Sequence, residues 1–164
     1  MLELKKQMLD LLTNPVLISA VFAWLLAQFL KIFTSAKYRD GMSFLRFLFG
    51  SGGMPSSHSA AVCATCFSCG ILYGFDSALF AVSGVLAVVV MRDAAGIRRE
   101  AGKQAQVINQ ISEELNKKKK KPTFEESLKV FLGHTPLQVL FGAMLGIMMA
   151  FFCQFWLFPR IFPV

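Results

Sequence analysis

Residues 52–72 read Gly-Gly-Met-Pro-Ser-Ser-His-Ser-Ala-Ala-Val-Cys-Ala-Thr-Cys-Phe-Ser-Cys-Gly-Ile-Leu, and residues 133–150 read Gly-His-Thr-Pro-Leu-Gln-Val-Leu-Phe-Gly-Ala-Met-Leu-Gly-Ile-Met-Met-Ala. In both, a histidine stands with glycine and proline at the entrance of an apolar run that is long enough to enter a membrane. The first turn of a helix offers unpaired backbone N–H groups and the positive end of a dipole. Two such entrances, one carrying His58 and the other His134, make a site for a phosphate and its proton transfers if they converge.

The rest of the chain supplies the setting. Hydrophobic residues make up 55% of 164, with 17 Phe among them, and mean hydropathy is +0.55. That is too apolar for a soluble domain of this size and predicts an integral membrane protein. A single domain over residues 1–164 is expected, because no polar block between the apolar runs is large enough to build its own core. The net charge of +7 does not point to nucleic acid, since the basic residues lie between apolar runs rather than on a face interleaved with aromatics. Anionic lipid is the better partner.

An all-α bundle of about four spans follows, at residues 14–33, 56–74, 77–91 and 135–158. Before them, Leu2, Leu4, Met8, Leu9, Leu11 and Leu12 interleave with Lys5, Lys6 and Asp10, the pattern of an interfacial helix without a signal-peptide cleavage site. The third span is short, but Ile97, Ala101, Ala105, Ile108, Ile111 and Leu115 keep helical spacing beyond it. One long helix is therefore expected to leave the membrane and to end at Lys117–Lys121 before Pro122.

Four spans put the ends of the first and third, and the starts of the second and fourth, on one side. Those places hold Lys31, His58, Asp93 with Arg98, and His134. The same side carries the excess of Lys and Arg, so the positive-inside rule turns it toward the cytoplasm. Cys63, Cys66 and Cys69 recur every three residues among Ala60, Ala61, Ala64, Ser68 and Gly70. Together with Cys153 they read as small packing residues rather than metal ligands.

Three strings now carry a resemblance: Gly-Gly-Met-Pro-Ser-Ser-His-Ser-Ala at 52–60, Asp-Ala-Ala-Gly-Ile-Arg-Arg-Glu-Ala-Gly-Lys-Gln-Ala at 93–105 and Leu-Gly-His-Thr-Pro-Leu-Gln-Val at 132–139. In this order they closely resemble the divergent branch of the type-2 phosphatidic acid phosphatases, a superfamily that includes the vanadium haloperoxidases. The resemblance implies an all-helical membrane phosphatase that works through a phosphohistidine and needs no metal or other cofactor. His134 then corresponds to the nucleophile, and His58 to the acid that protonates the departing oxygen. Ser57 and the amides after Pro55 correspond to phosphate holders.

The basic residues depart from the superfamily pattern. Lys31 resembles the lysine that opens its first motif, but the arginine expected seven positions later is Tyr38, with Arg39 one step beyond. Before His134 the motif has Ser-Arg, whereas here Ser127-Leu128-Lys129 stands there. Lys129 would supply a point charge in place of a bidentate fork, and Arg98 or Arg99 could take over that fork. Four positions after His134 the carboxylate of relatives is Gln138. It can accept from one imidazole nitrogen and fix the tautomer, but it cannot stabilise imidazolium, so Asp93 is the alternative source of charge.

The expected substrate is a membrane lipid phosphate: phosphatidate or phosphatidylglycerophosphate for a site facing the cytoplasm, polyprenyl pyrophosphate for one facing outward. The expected location is a bacterial cytoplasmic membrane. The competing reading is a non-catalytic membrane protein that binds or transports an anion or lipid headgroup with the same helix ends. The apolar stripe of residues 97–115 permits packing within one chain or in a homo-oligomer.

Overall fold

A computed structural model describes residues 1–34, 53–117 and 133–161. The described residues fold into helices, without a strand among them. Helix α1, Leu2–Leu12, buries no residue. Asn14 then caps α2, Pro15–Thr34, its Oδ1 accepting from the amides of Val16 and Leu17 at 3.0 and 3.1 Å. Helix α3, Ser57–Tyr73, is capped by Ser56. A tight turn with Gly74 at φ 94° leads to Ser77, the cap of α4, Ala78–Ala95. Helix α5 runs Ile97–Lys117, and α6 runs Pro136–Phe152 behind a capping box of Thr135 and Gln138. A π-helical turn, Cys153–Leu157, and a last turn, α7, Phe158–Ile161, follow.

The bundle is turned inside out relative to a soluble one. Its interior is made of small and polar residues: Ala23, Ala27, Ala60, Ala64 and Leu145 form one cluster, and Cys63, Cys66 and Ala87 another. Its outer faces carry Phe22, Leu25 and Phe29 on α2, Val82, Val85 and Val89 on α4, and Leu140, Met144 and Met148 on α6. Water would penalise so wide an apolar surface, and hydrocarbon would not. The protein is therefore integral to a membrane.

Among the described residues three stretches are long and apolar enough to cross: Pro15–Thr34, the stretch that contains α4, and Pro136–Ile161. Helix α3 has 17 residues, roughly 25 Å, and packs against α2, α4 and α6 at the centre of the bundle. Its expected span at 56–74 is thus a helix of matching bounds. The cysteines lie where small packing residues were expected, Cys63 against Met91 and Cys66 against Gly84.

One expectation is corrected. The helix leaving the third span is not continuous: it breaks at Gly96 (φ −104°, ψ −91°) and restarts at Ile97. A Cβ at Gly96 would press on the Arg92 carbonyl, so a glycine permits this turn and the apolar spacing on either side does not reveal it.

Candidate functional site

Four hydrogen bonds bring the helix ends together. Lys31 Nζ, at the end of α2, donates to Ser57 Oγ, at the start of α3, at 3.1 Å. The Ser56 amide donates to the Gln138 carbonyl at 3.0 Å, joining the starts of α3 and α6. The His134 amide donates to the Ala94 carbonyl at 3.0 Å, joining the approach to α6 with the end of α4. The Thr34 hydroxyl donates to the Met54 carbonyl, a second link between the end of α2 and the approach to α3. The four ends expected on one side of the bundle do lie together.

Helices α3 and α6 run parallel. A side chain at Gly142 would meet the Ser56 carbonyl, and one at Gly146 would meet Ala60 one turn further along both helices. Both N-termini therefore point into the same space, with their dipoles adding at one place. The signal for this contact, Gly-x-x-x-Gly at 142–146, is present in the sequence. Its partner surface, Ser56 and Ala60, is not legible there because it lies more than eighty residues away in the chain.

His134 is 5% exposed and Lys31 is 4% exposed. Among the described residues no carboxylate pairs with Lys31, whose hydrogen bond is to a neutral hydroxyl. A buried ammonium with no anion beside it is costly, and an anionic ligand would remove that cost.

The tautomer of His134 follows from its neighbours. Gln138 Oε1 accepts the Thr135 amide at 3.0 Å and lies 3.2 Å from His134 Nδ1. A backbone N–H can only donate, so the atom it meets is oxygen, and an amide oxygen can only accept. Nδ1 therefore carries a proton, and in the neutral ring it is Nε2 that holds the lone pair. Gln138 serves twice, completing the capping box and orienting the imidazole.

The remaining residues are distributed around this core. Ser57 is buried against Lys31, whereas His58, the next residue, is exposed on the first turn of α3. The Ser56 amide, one of those following Pro55, is engaged with Gln138, and the Ser59 amide turns back to Ser56 Oγ at 3.4 Å. Asp93 is half-buried beside Ala94, on the last turn of α4, and Arg99 is half-buried beyond the Gly96 break. Arg39, Lys129 and the side chain of Arg98 lie outside the described residues. Ala94 was not anticipated, nor was the engagement of the Ser56 amide by Gln138: both are backbone contacts, which any residue type would supply.

The profile of a family described as the Divergent PAP2 family matches residues 12–149, a stretch that includes all four helix ends. The chain is 39% identical over 153 residues to the uncharacterized membrane protein YuiD of Bacillus subtilis (strain 168), an alignment covering 86% of this chain and 94% of that protein. No solved structure matches it.

Proposed function

Because the chain belongs to the Divergent PAP2 family, we propose that it is a lipid phosphate phosphatase acting through a phosphohistidine. The observation that carries this reading is the buried Lys31–Ser57 pair at the start of α3, which the Ser56–Gln138 hydrogen bond ties to the start of α6, where the Gln138 side chain holds Nδ1 of the buried His134. In the reaction, Nε2 of His134 attacks phosphorus in line. A P–N bond forms as the bond to the lipid oxygen breaks, and that oxygen takes a proton from His58. His58 then accepts a proton from water, whose oxygen attacks phosphorus, and inorganic phosphate leaves His134. Lys31, Ser57 and the converging helix N-termini hold the phosphoryl oxygens.

The substrate class is a lipid phosphate at the bilayer boundary: phosphatidate, phosphatidylglycerophosphate or polyprenyl pyrophosphate. The basic residues on the site's side favour a cytoplasmic orientation and so the first two. Phosphate release from these three lipids by the purified protein, compared with His134→Ala, tests the proposal. No release from any of them, or equal release by the variant, would refute it.

One observation favours a second reading. The group bonded to His134 Nδ1 is an amide, which cannot stabilise an imidazolium as a carboxylate does. A non-catalytic protein could hold an anion in the same place. Vanadate separates the two: a five-coordinate adduct on His134 supports the phosphatase, and a tetrahedral anion held by hydrogen bonds alone supports the binder.

A further inference from the structure

Helix α5 exposes an apolar stripe directly after a membrane-crossing helix. Ile97 is 72% exposed, Ile108 51% and Ile111 52%, with Val107 and Leu115 beside them. By helical register these residues share one side, while Arg99, Lys103, Gln106, Gln110 and Glu113 fall on the other. The sequence then continues through five lysines, 117–121.

We propose that α5 is a membrane-surface helix, lying along the headgroups of the leaflet on the site's side, its apolar stripe in the lipid and its cations among anionic phosphates. Three observations select this occupant. Helix α4 has 18 residues, about 27 Å, so it delivers the chain to the bilayer boundary, and a single residue separates it from α5. That residue, Gly96, has a ψ of −91°, which interrupts the helix, so α5 need not continue the axis of α4. The charge is complementary, since residues 97–121 carry eight Lys and Arg against three Glu, the excess coming from the lysines at 117–121, and the leaflet offers phosphates.

A second copy of the chain fits less well. Two α5 helices placed stripe to stripe would bring Gln104 into the seam and line one edge with Glu100 and Glu114. At a bilayer surface Gln104 lies within the stripe as well, but neither glutamate is brought against a like-charged copy. Glu100 is already held by Lys103 at 2.7 Å on the exposed surface.

The test uses the full chain in vesicles of phosphatidylcholine alone or mixed equally with phosphatidylglycerol. Single cysteines are placed at Ile108, Ile111, Gln106 and Gln110 and labelled with an environment-sensitive fluorophore. The native cysteines are all buried, so the unsubstituted chain is the labelling control. Labels at 108 and 111 should shift to the blue and be quenched by lipid spin-labelled near the headgroup, whereas those at 106 and 110 should report water. Hydrogen exchange of the unsubstituted chain guards against misfolded variants. Amides of residues 104–115 should exchange more slowly with phosphatidylglycerol present, by roughly thirtyfold to a hundredfold for two or three cations at an anionic surface. Four labels alike in water, or exchange indifferent to phosphatidylglycerol, would overturn the proposal. So would shielding that falls on dilution into more lipid together with a disulfide between two chains at position 108, which would establish a second copy instead.

Discussion

The Ala60 carbonyl occupies the space that a side chain at Gly146 would need, which sets α3 and α6 backbone to backbone. Ser56 stands in the same relation to Gly142 one turn nearer the site. Backbone cannot move aside as a flexible side chain can, so larger residues here force the helices apart. Overpacking of this kind costs about 1–3 kcal/mol. Gly146→Val should lower the thermal midpoint in detergent clearly, whereas Met148→Val, on an outward face that is 61% exposed, should barely move it. Equal midpoints for the two variants would refute the close approach.

Lys31 separates stability from binding. Its ammonium is buried, and among the described residues its bond is to a neutral hydroxyl. Lys31→Met removes a buried charge that no carboxylate among the described residues compensates, so the empty protein should be no less stable, and as much as about 1–3 kcal/mol more stable. Anion affinity should move the other way. Losing a charge-assisted hydrogen bond worth about 1.5–3 kcal/mol weakens vanadate binding roughly tenfold to a hundredfold. Thermal unfolding with and without vanadate measures both quantities in one series.

Much of this arrangement was legible in the chain because hydropathy and helix-entry signals are local. The apolar helices, their starts near Asn14, Ser77 and Thr135, and the gathering of four helix ends on one side all follow from runs of residues and their number. What depends on contact between distant segments was not legible. The parallel packing of α3 on α6 and the capture of the His134 amide by Ala94 belong to this group. The Gly96 break was hidden for another reason: the apolar spacing continues across it, and only the backbone angles mark the interruption. The exposure of His58 beside buried Ser57 is likewise set by which face of α3 its neighbours cover.

The far end of the bundle offers a control for the site. Gln154, in the π-helical turn, donates from Nε2 to Ser19 Oγ at 3.0 Å and to the Pro15 carbonyl at 3.3 Å, tying the end of the last long helix to the start of α2. Polar pairs between membrane helices contribute about 0.6 kcal/mol on average and up to about 1.7. Gln154→Met should therefore lower the thermal midpoint modestly. Turnover and vanadate affinity, measured below the unfolding range, should stay at the unsubstituted values, because no site residue touches this pair.

Gln138 gives the sharpest test of the site's chemistry, because two substitutions act in opposite directions. Gln138→Met removes the oxygen that accepts from both Thr135 and His134 Nδ1. The imidazole then loses its fixed tautomer, visible as a change in the nitrogen resonances of His134, and α6 loses half its capping box, worth about 0.5–2 kcal/mol. Gln138→Glu keeps the reach, preserves the capping box and adds a charge where imidazolium must form. If the protein is a phosphatase limited by its amide, turnover should rise by roughly one to two orders of magnitude, since an amide in place of the orienting carboxylate costs about four in a serine protease triad. A Gln138→Glu variant with the resonances of a charged, carboxylate-paired imidazole but no turnover on any lipid phosphate would instead identify a site that binds anions without cleaving them.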